Sequence, residues 1–222
     1  MKKIAKIFIT IIITFICSNL CFANNEQNNI NQNISSALSR LKLGTSYING
    51  FSLYNMNEFS KYNYGASVSF ECDIFQAIPN KINLGFYGRS SVQDFVPNNL
   101  QLEKLYSYSF SNGLYSEFLL PQNISISYSL GAGFLISDIC FVSGEKGTIE
   151  DIYYDFMIES DFQIRKTFIS LKKANILLTS GCHFAFYNEK STSFCTIGPT
   201  FGLMFNFKEN NILSKGINRW KN

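Results

Sequence analysis

The clearest regularity in the chain is an alternation of apolar and polar residues that begins near residue 40 and runs almost to the end. From Lys61 to Phe75, one parity carries Tyr62, Tyr64, Ala66, Val68, Phe70, Cys72 and Ile74. The other carries Lys61, Asn63, Gly65, Ser67, Ser69, Glu71 and Asp73. Residues 123–137 set Ile124, Ile126, Tyr128, Leu130, Ala132, Phe134 and Ile136 against Ser125, Ser127, Ser129, Gly131, Gly133 and Ser137. A third stretch sets Ile152, Tyr154, Phe156, Ile158, Phe162 and Ile164 against Asp151, Tyr153, Asp155, Met157, Glu159, Asp161 and Gln163. Successive side chains of a strand point to opposite faces, so alternation over 13 to 15 residues predicts strands and fits no helical period.

Eight segments of this kind can be counted, at about 40–51, 61–75, 81–93, 104–118, 123–137, 150–164, 175–187 and 194–207. Each exceeds the ~5–6 residues usual in soluble proteins and meets the ~9–11 needed to cross a bilayer at a tilt. The connections after the second and fourth strands are tight and contain Pro79 and Pro121. Those after the first, third and fifth are longer and polar, and the stretch from Arg165 to Ala174 reads as a looser turn. An even number of antiparallel strands, with short turns at one end and longer loops at the other, predicts an all-β, eight-stranded, up-and-down transmembrane barrel. The competing architecture is a soluble lipocalin-like barrel with its apolar face inward. The polar face, rich in Gly and Ser, suits a crowded narrow lumen better than a water-exposed surface. Aromatic residues near strand ends on the apolar face, among them Tyr62, Tyr64, Tyr106, Tyr108, Tyr154, Phe205 and Phe207, suit girdles at membrane interfaces.

The ends of the chain follow other rules. Lys2, Lys3 and Lys6 precede an apolar run from Ile7 to Cys17, and Cys21-Phe22-Ala23 leads into polar Asn24-Asn25. This reads as a secretory signal peptide over residues 1–23, with lipidation at Cys21 as the alternative. Residues 24–39 read as a polar linker, 40–207 as the barrel and 208–222 as a basic tail. The formal charge of +3 is accounted for by the three leader lysines, since the other 16 basic residues match 16 acidic ones. A balanced mature chain argues against nucleic acid as a partner. Cys72, Cys140, Cys182 and Cys195 show neither disulfide-framework nor metal-ligand spacing and read as apolar filler. No cofactor or metal is expected.

The last strand, Gly198-Pro199-Thr200-Phe201-Gly202-Leu203-Met204-Phe205-Asn206-Phe207, resembles the closing strand of small bacterial outer-membrane barrels. With the leader and eight strands, the mature chain resembles the barrel domain of outer-membrane proteins of the A, X and W type. The resemblance implies that Phe201, Leu203, Phe205 and Phe207 form the signal read by the barrel-assembly machinery. It also implies outer-membrane lipid as the surroundings and a monomer. One departure is that the terminal aromatic is followed by Lys208 to Asn222.

Chemistry, if present, belongs on the inward face. A hairpin turning around residues 52–60 places Lys42 opposite Glu71 and Arg40 opposite Asp73, with Lys81 beside Asp73 across the tight turn. The sixth strand turns Asp151, Asp155, Glu159 and Asp161 to one face, and Arg89, Lys61 and His183 are their candidate partners. An interior ionic network is the expectation for all twelve residues, ahead of a proton-transfer or hydrolytic site or a cation path. Barrel-type lipid A deacylases carry a His-x-Ser pair, whereas here the only histidine reads His183-Phe184-Ala185. No catalytic residue is therefore assigned. The favoured function is a non-enzymatic surface protein presenting loops around 52–60, 94–103, 138–149 and 188–193 for envelope integrity, adhesion or host contact. A narrow channel and an outer-leaflet lipid-modifying enzyme are the alternatives.

Overall fold

The computed structural model describes residues 39–54, 60–98, 102–143, 147–188 and 193–208. The leader, nearly all of the polar linker and the tail beyond Lys208 lie outside the described residues. The rest forms eight strands: β1 (Leu41–Tyr54), β2 (Ser60–Ile78), β3 (Ile82–Pro97), β4 (Leu102–Leu120), β5 (Ile124–Ser143), β6 (Gly147–Ser170), β7 (Ala174–Asn188) and β8 (Ser193–Phe207). Each pairs antiparallel with the next, and β1 pairs with β8 from Lys42↔Asn206 to Tyr54↔Phe194, closing the barrel. The expected fold class is borne out.

The strands are longer than their alternation suggests. β6 has 24 residues and continues through Arg165 to Ser170, so the expected loose turn at 165–174 is mostly strand. Its connection shrinks to residues 171–173, closed by Leu171 N–H donating to Ala174 O at 2.8 Å. The alternation is hidden there by Lys166 on the outward parity and by a register shift between Thr167 and Ile169. The expected loops are likewise partly strand, since 52–54, 94–97, 138–143 and 147–149 all pair. The Pro-containing turns are as tight as expected. Lys81 N–H donates to Ile78 O at 3.0 Å, and Asn80, Gln122 and Asn123 take left-handed φ values of 57°, 63° and 58° to reverse the chain.

Three short turns and both barrel termini share one end; the connections after β1, β3, β5 and β7 share the other. In barrels of this kind the turn end faces the periplasm and the loop end the outside.

Polarity is inverted relative to a soluble barrel. Phe134 is 66% exposed and Tyr154 73%, with Val68, Leu114 and Phe168 also on the outside. Lys42, Glu71, Arg89, Glu159, Asp161 and Arg165 are all buried inside. This overturns the lipocalin-like alternative, because an apolar exterior over an ionic interior is stable only in lipid. Polar residues return to the outward parity near the loop end. Tyr64 donates to Asp94 at 2.8 Å, and the Lys104 ammonium sits 4.3 Å over the Tyr106 ring. At the turn end, outward Lys166 has a stem long enough to carry its charge to the interface.

The depth of the apolar band can be tested. Leu130→Arg, near mid-band, should lower stability in lipid vesicles by about 2–4 kcal/mol, and Tyr154→Arg, near the loop-end interface, by about 0–1 kcal/mol. Urea titration of the refolded barrel measures both, and equal costs would mean the band is not centred as described.

Candidate functional site: the ionic lumen

Period-two geometry sends odd-numbered residues of β2 to β7 inward, together with even-numbered residues of β1 and β8. Eight strands enclose an interior just wide enough for side chains to fill, and here the filling is ionic at two levels. Near the turn end, Lys42 Nζ reaches Asp73 Oδ1 at 2.9 Å and Glu117 Oε2 at 2.5 Å. The same ammonium lies 5.1 Å from the centre of the Tyr115 ring. Arg165 forms a two-pronged pair with Glu71, one prong at 2.7 Å, and lies 3.6 Å from Glu117. Its Nε and Nη2 also donate to Gln163 Oε1 at 3.2 and 3.0 Å. Ser125 donates to Glu117 at 2.7 Å, and Tyr115 donates to Asp73. Two cations thus hold three carboxylates, which share further hydroxyl donors.

The second level lies mid-barrel. Arg89 pairs with Asp161 and lies 4.0 Å from Glu159. Arg89 Nη1 is 2.8 Å from His183 Nδ1. A guanidinium can only donate, so Nδ1 accepts and the imidazole proton belongs on Nε2. Asp161 Oδ2, 3.2 Å from the same nitrogen, is then held by the guanidinium rather than by the ring. Tyr87 reaches across the lumen to donate to Glu159 at 3.1 Å, joined by Ser111. Gly131 makes this crossing possible: it pairs with Glu159 on β6, and a Cβ there would collide with the Tyr87 hydroxyl. Above this level Ser91 and Ser109 bond at 2.6 Å, and Gln93 bonds to Ser91 and Asn63.

Of the twelve residues expected in the network, Lys42, Glu71, Asp73, Arg89, Glu159, Asp161 and His183 come together inside, though with altered partners. Lys42 does sit opposite Glu71 in register, yet its ammonium goes to Asp73 and Glu117 while Glu71 takes Arg165. Arg40 meets Asp73 through the backbone, Asp73 N–H donating to Arg40 O at 2.9 Å, and its side chain is exposed. Lys81 is exposed in the turn and Lys61 is exposed on β2, so neither joins the carboxylates. Asp151 is exposed and accepts from Tyr153 at 3.2 Å; Asp155 lines a separate cavity nearer the loop end. Arg165, Glu117, Tyr115 and Tyr87 are the participants the alternation did not single out. Of these, Glu117, Tyr115 and Tyr87 could have been found from their inward parity alone. Among the described residues, Cys72, Cys140, Cys182 and Cys195 form no disulfide, and Cys140 Sγ lies 3.6 Å from Glu103 Oε2. Phe201, Leu203 and Phe205 are exposed on β8, and Phe207 is half-buried at its end. Lys208 Nζ donates to Ser170 Oγ at 2.7 Å and to Leu171 O at 2.9 Å.

No family model matches the sequence, and no curated protein is similar enough to count as a relative. Among solved structures, the chain is similar to Neisserial surface protein A, with 10% identity and a TM-score of 0.50 over 75% of this chain and 97% of that one. The likeness extends to Ail of Yersinia pestis, with 13% identity, TM-score 0.47 and coverage of 74% and 97%. It extends also to the N-terminal barrel of Pseudomonas aeruginosa OprF, with 9% identity, TM-score 0.41 and coverage of 74% and 97%. The fold is that of the small outer-membrane barrels. At these identities the likeness speaks to architecture alone, and together with the apolar exterior it places this barrel in the outer membrane.

The turn-end network makes a quantitative prediction. Arg165→Met leaves Glu71 without its cation in a buried setting and should cost about 3–5 kcal/mol. Adding Glu71→Gln should recover at least about half of that loss, because the stranded charge goes with it. Denaturation midpoints in vesicles compare the two, and a double variant no more stable than the single one would contradict the pairing.

Proposed function

We propose that the protein is a non-enzymatic surface barrel whose task is to hold its loop-end connections at the cell exterior for envelope integrity, adhesion or host contact. The observation that carries this reading is the two-level ionic lumen. Guanidinium, ammonium and carboxylate groups bonded to one another across the axis occupy the space a solute would use. Such a barrel acts as a rigid mount for the connections around residues 55–59, 98–101, 144–146 and 189–192.

The placement of His183 supports the non-enzymatic part. Its ring is buried mid-barrel against Arg89 and Asp161, far from a rim where a lipid ester could reach it. The outward Phe201, Leu203 and Phe205 support the reading of β8 as an assembly signal for the barrel-inserting machinery.

Two measurements test the proposal. The purified barrel in planar bilayers should give no steady conductance, whereas regular single-channel steps would favour a conduit. Replacing 55–59, 144–146 and 189–192 with Gly/Ser of equal length should abolish surface attachment or envelope protection in whole cells. The replaced barrel should still migrate as a heat-modifiable band. A phenotype unchanged by these replacements would sink the surface role.

A further inference from the structure

The lumen changes character near the loop end. The inward parity that carries Ser, Gln and ions lower down carries Phe95, Leu105, Leu135, Ile139, Phe141 and Phe194 above. Phe95, Leu102 and Leu105 form one buried cluster, and Leu135, Met157, Ala185 and Tyr187 form another; Phe194 packs against both. Between them lies a cavity of about 200 Å³, whose polar lining comes from Ser137, Tyr153 and Asp155. Its floor is closed, since Met157 and Ala185 are fully buried beneath Leu135 and Tyr187, and Tyr187 bonds Thr196 at 3.4 Å.

Neither the membrane nor the ionic network asks for this tier. Lipid requires apolar side chains on the outside, and the charged levels are complete below. An apolar, partly enclosed concavity with a few polar groups, set at the water-facing end, has the make-up of a small-molecule site. An apolar cavity of about 150 Å³ suffices for benzene, so this one has room for a phenyl ring and a short alkyl link. The electrostatics select the sign. Among the described residues at this end, Asp94, Glu103, Asp138, Asp151 and Asp155 outnumber Lys61 and Lys104. Asp155 stands in the cavity wall itself, next to the Tyr153 ring that a cation can face.

We infer that this cup binds a small aryl- or alkylammonium ion, its apolar part against Leu135 and Tyr187 and its ammonium toward Asp155. The site is independent of the surface role proposed above and lies outside the ionic lumen.

The test uses the full mature chain in phospholipid nanodiscs, which keeps detergent tails out of the cup. Calorimetric titrations with phenethylammonium, 2-phenylethanol and 3-phenylpropanoate are corrected with empty nanodiscs. The ammonium ion should bind saturably, with one site per barrel. The alcohol should bind about tenfold more weakly, as expected on losing a charge-assisted contact, and the carboxylate not at all. Leu135→Trp, which fills the floor, should abolish binding, and Asp155→Asn should reduce the ammonium to the level of the alcohol. If Leu135→Trp does not fold, Leu105→Trp fills the cup from the opposite wall. No saturable binding of any probe, the result if the protein's own loops occupy the cup, overturns the inference. Equal binding of all three, or binding that survives in the folded Trp variant, overturns it as well.

Discussion

A strand in lipid has no water to satisfy its N–H and C=O groups, and the closed architecture of this molecule follows from that requirement. Each unpaired group would cost several kcal/mol, so the sheet must close on itself. Closure fixes two surfaces of opposite character. The outer one must be apolar because it meets hydrocarbon, and the inner one is free to be polar because it is sealed from it. The chain uses strict alternation to satisfy both at once, which is why a one-residue slip anywhere would turn an arginine into lipid and a phenylalanine into the lumen.

The interior then has its own constraint. A lumen this narrow cannot hydrate its charges freely, so each must find a partner across the axis. Lys42 on β1 reaches β2 and β4, Arg165 on β6 reaches β2, and Arg89 on β3 reaches β6 and β7. Apart from the Lys42–Asp73 pair, these ties join strands that are not neighbours in the sheet. Ladder hydrogen bonds stiffen the wall along its circumference; the ion pairs stiffen it along its diameter. Tyr87 and Gly131 show how side-chain size is matched across that diameter, a ring on one wall fitting where the other offers none.

Parity made most of this legible in the sequence. The strand count, the closure and the inward placement of Glu71, Glu159 and Asp161 follow from alternation alone. What it could not supply is reach. Lys42 and Glu71 are register partners, but a long flexible side chain can pass over its neighbour to Glu117, and only the curvature of the closed barrel brings that acid near. Arg165 was obscured for another reason. Lys166 on the lipid side mimics the start of a loop, although a lysine at the interface satisfies its charge by extending toward water. Lys61, by contrast, has inward parity yet is exposed, because the register shifts between Ser60 and Tyr62 and Ser60 takes the inward place instead. The apolar tier is visible in the sequence as apolar residues on the inward parity at Phe95, Leu135 and Phe194; its meaning depends on those residues meeting at one height.

The β1–β8 seam has a consequence for how the molecule comes to exist. Lys42 and Asn206 are partners although nearly the whole barrel separates them in the chain. Every intermediate that lacks this pairing has two open edges, each a template for joining another chain. Closing so long a loop is slow, and the ends have nothing to gain until they meet. The last-made strand is thus the one on which all earlier strands wait, so the exported polypeptide must be kept apart from its own kind until β8 arrives.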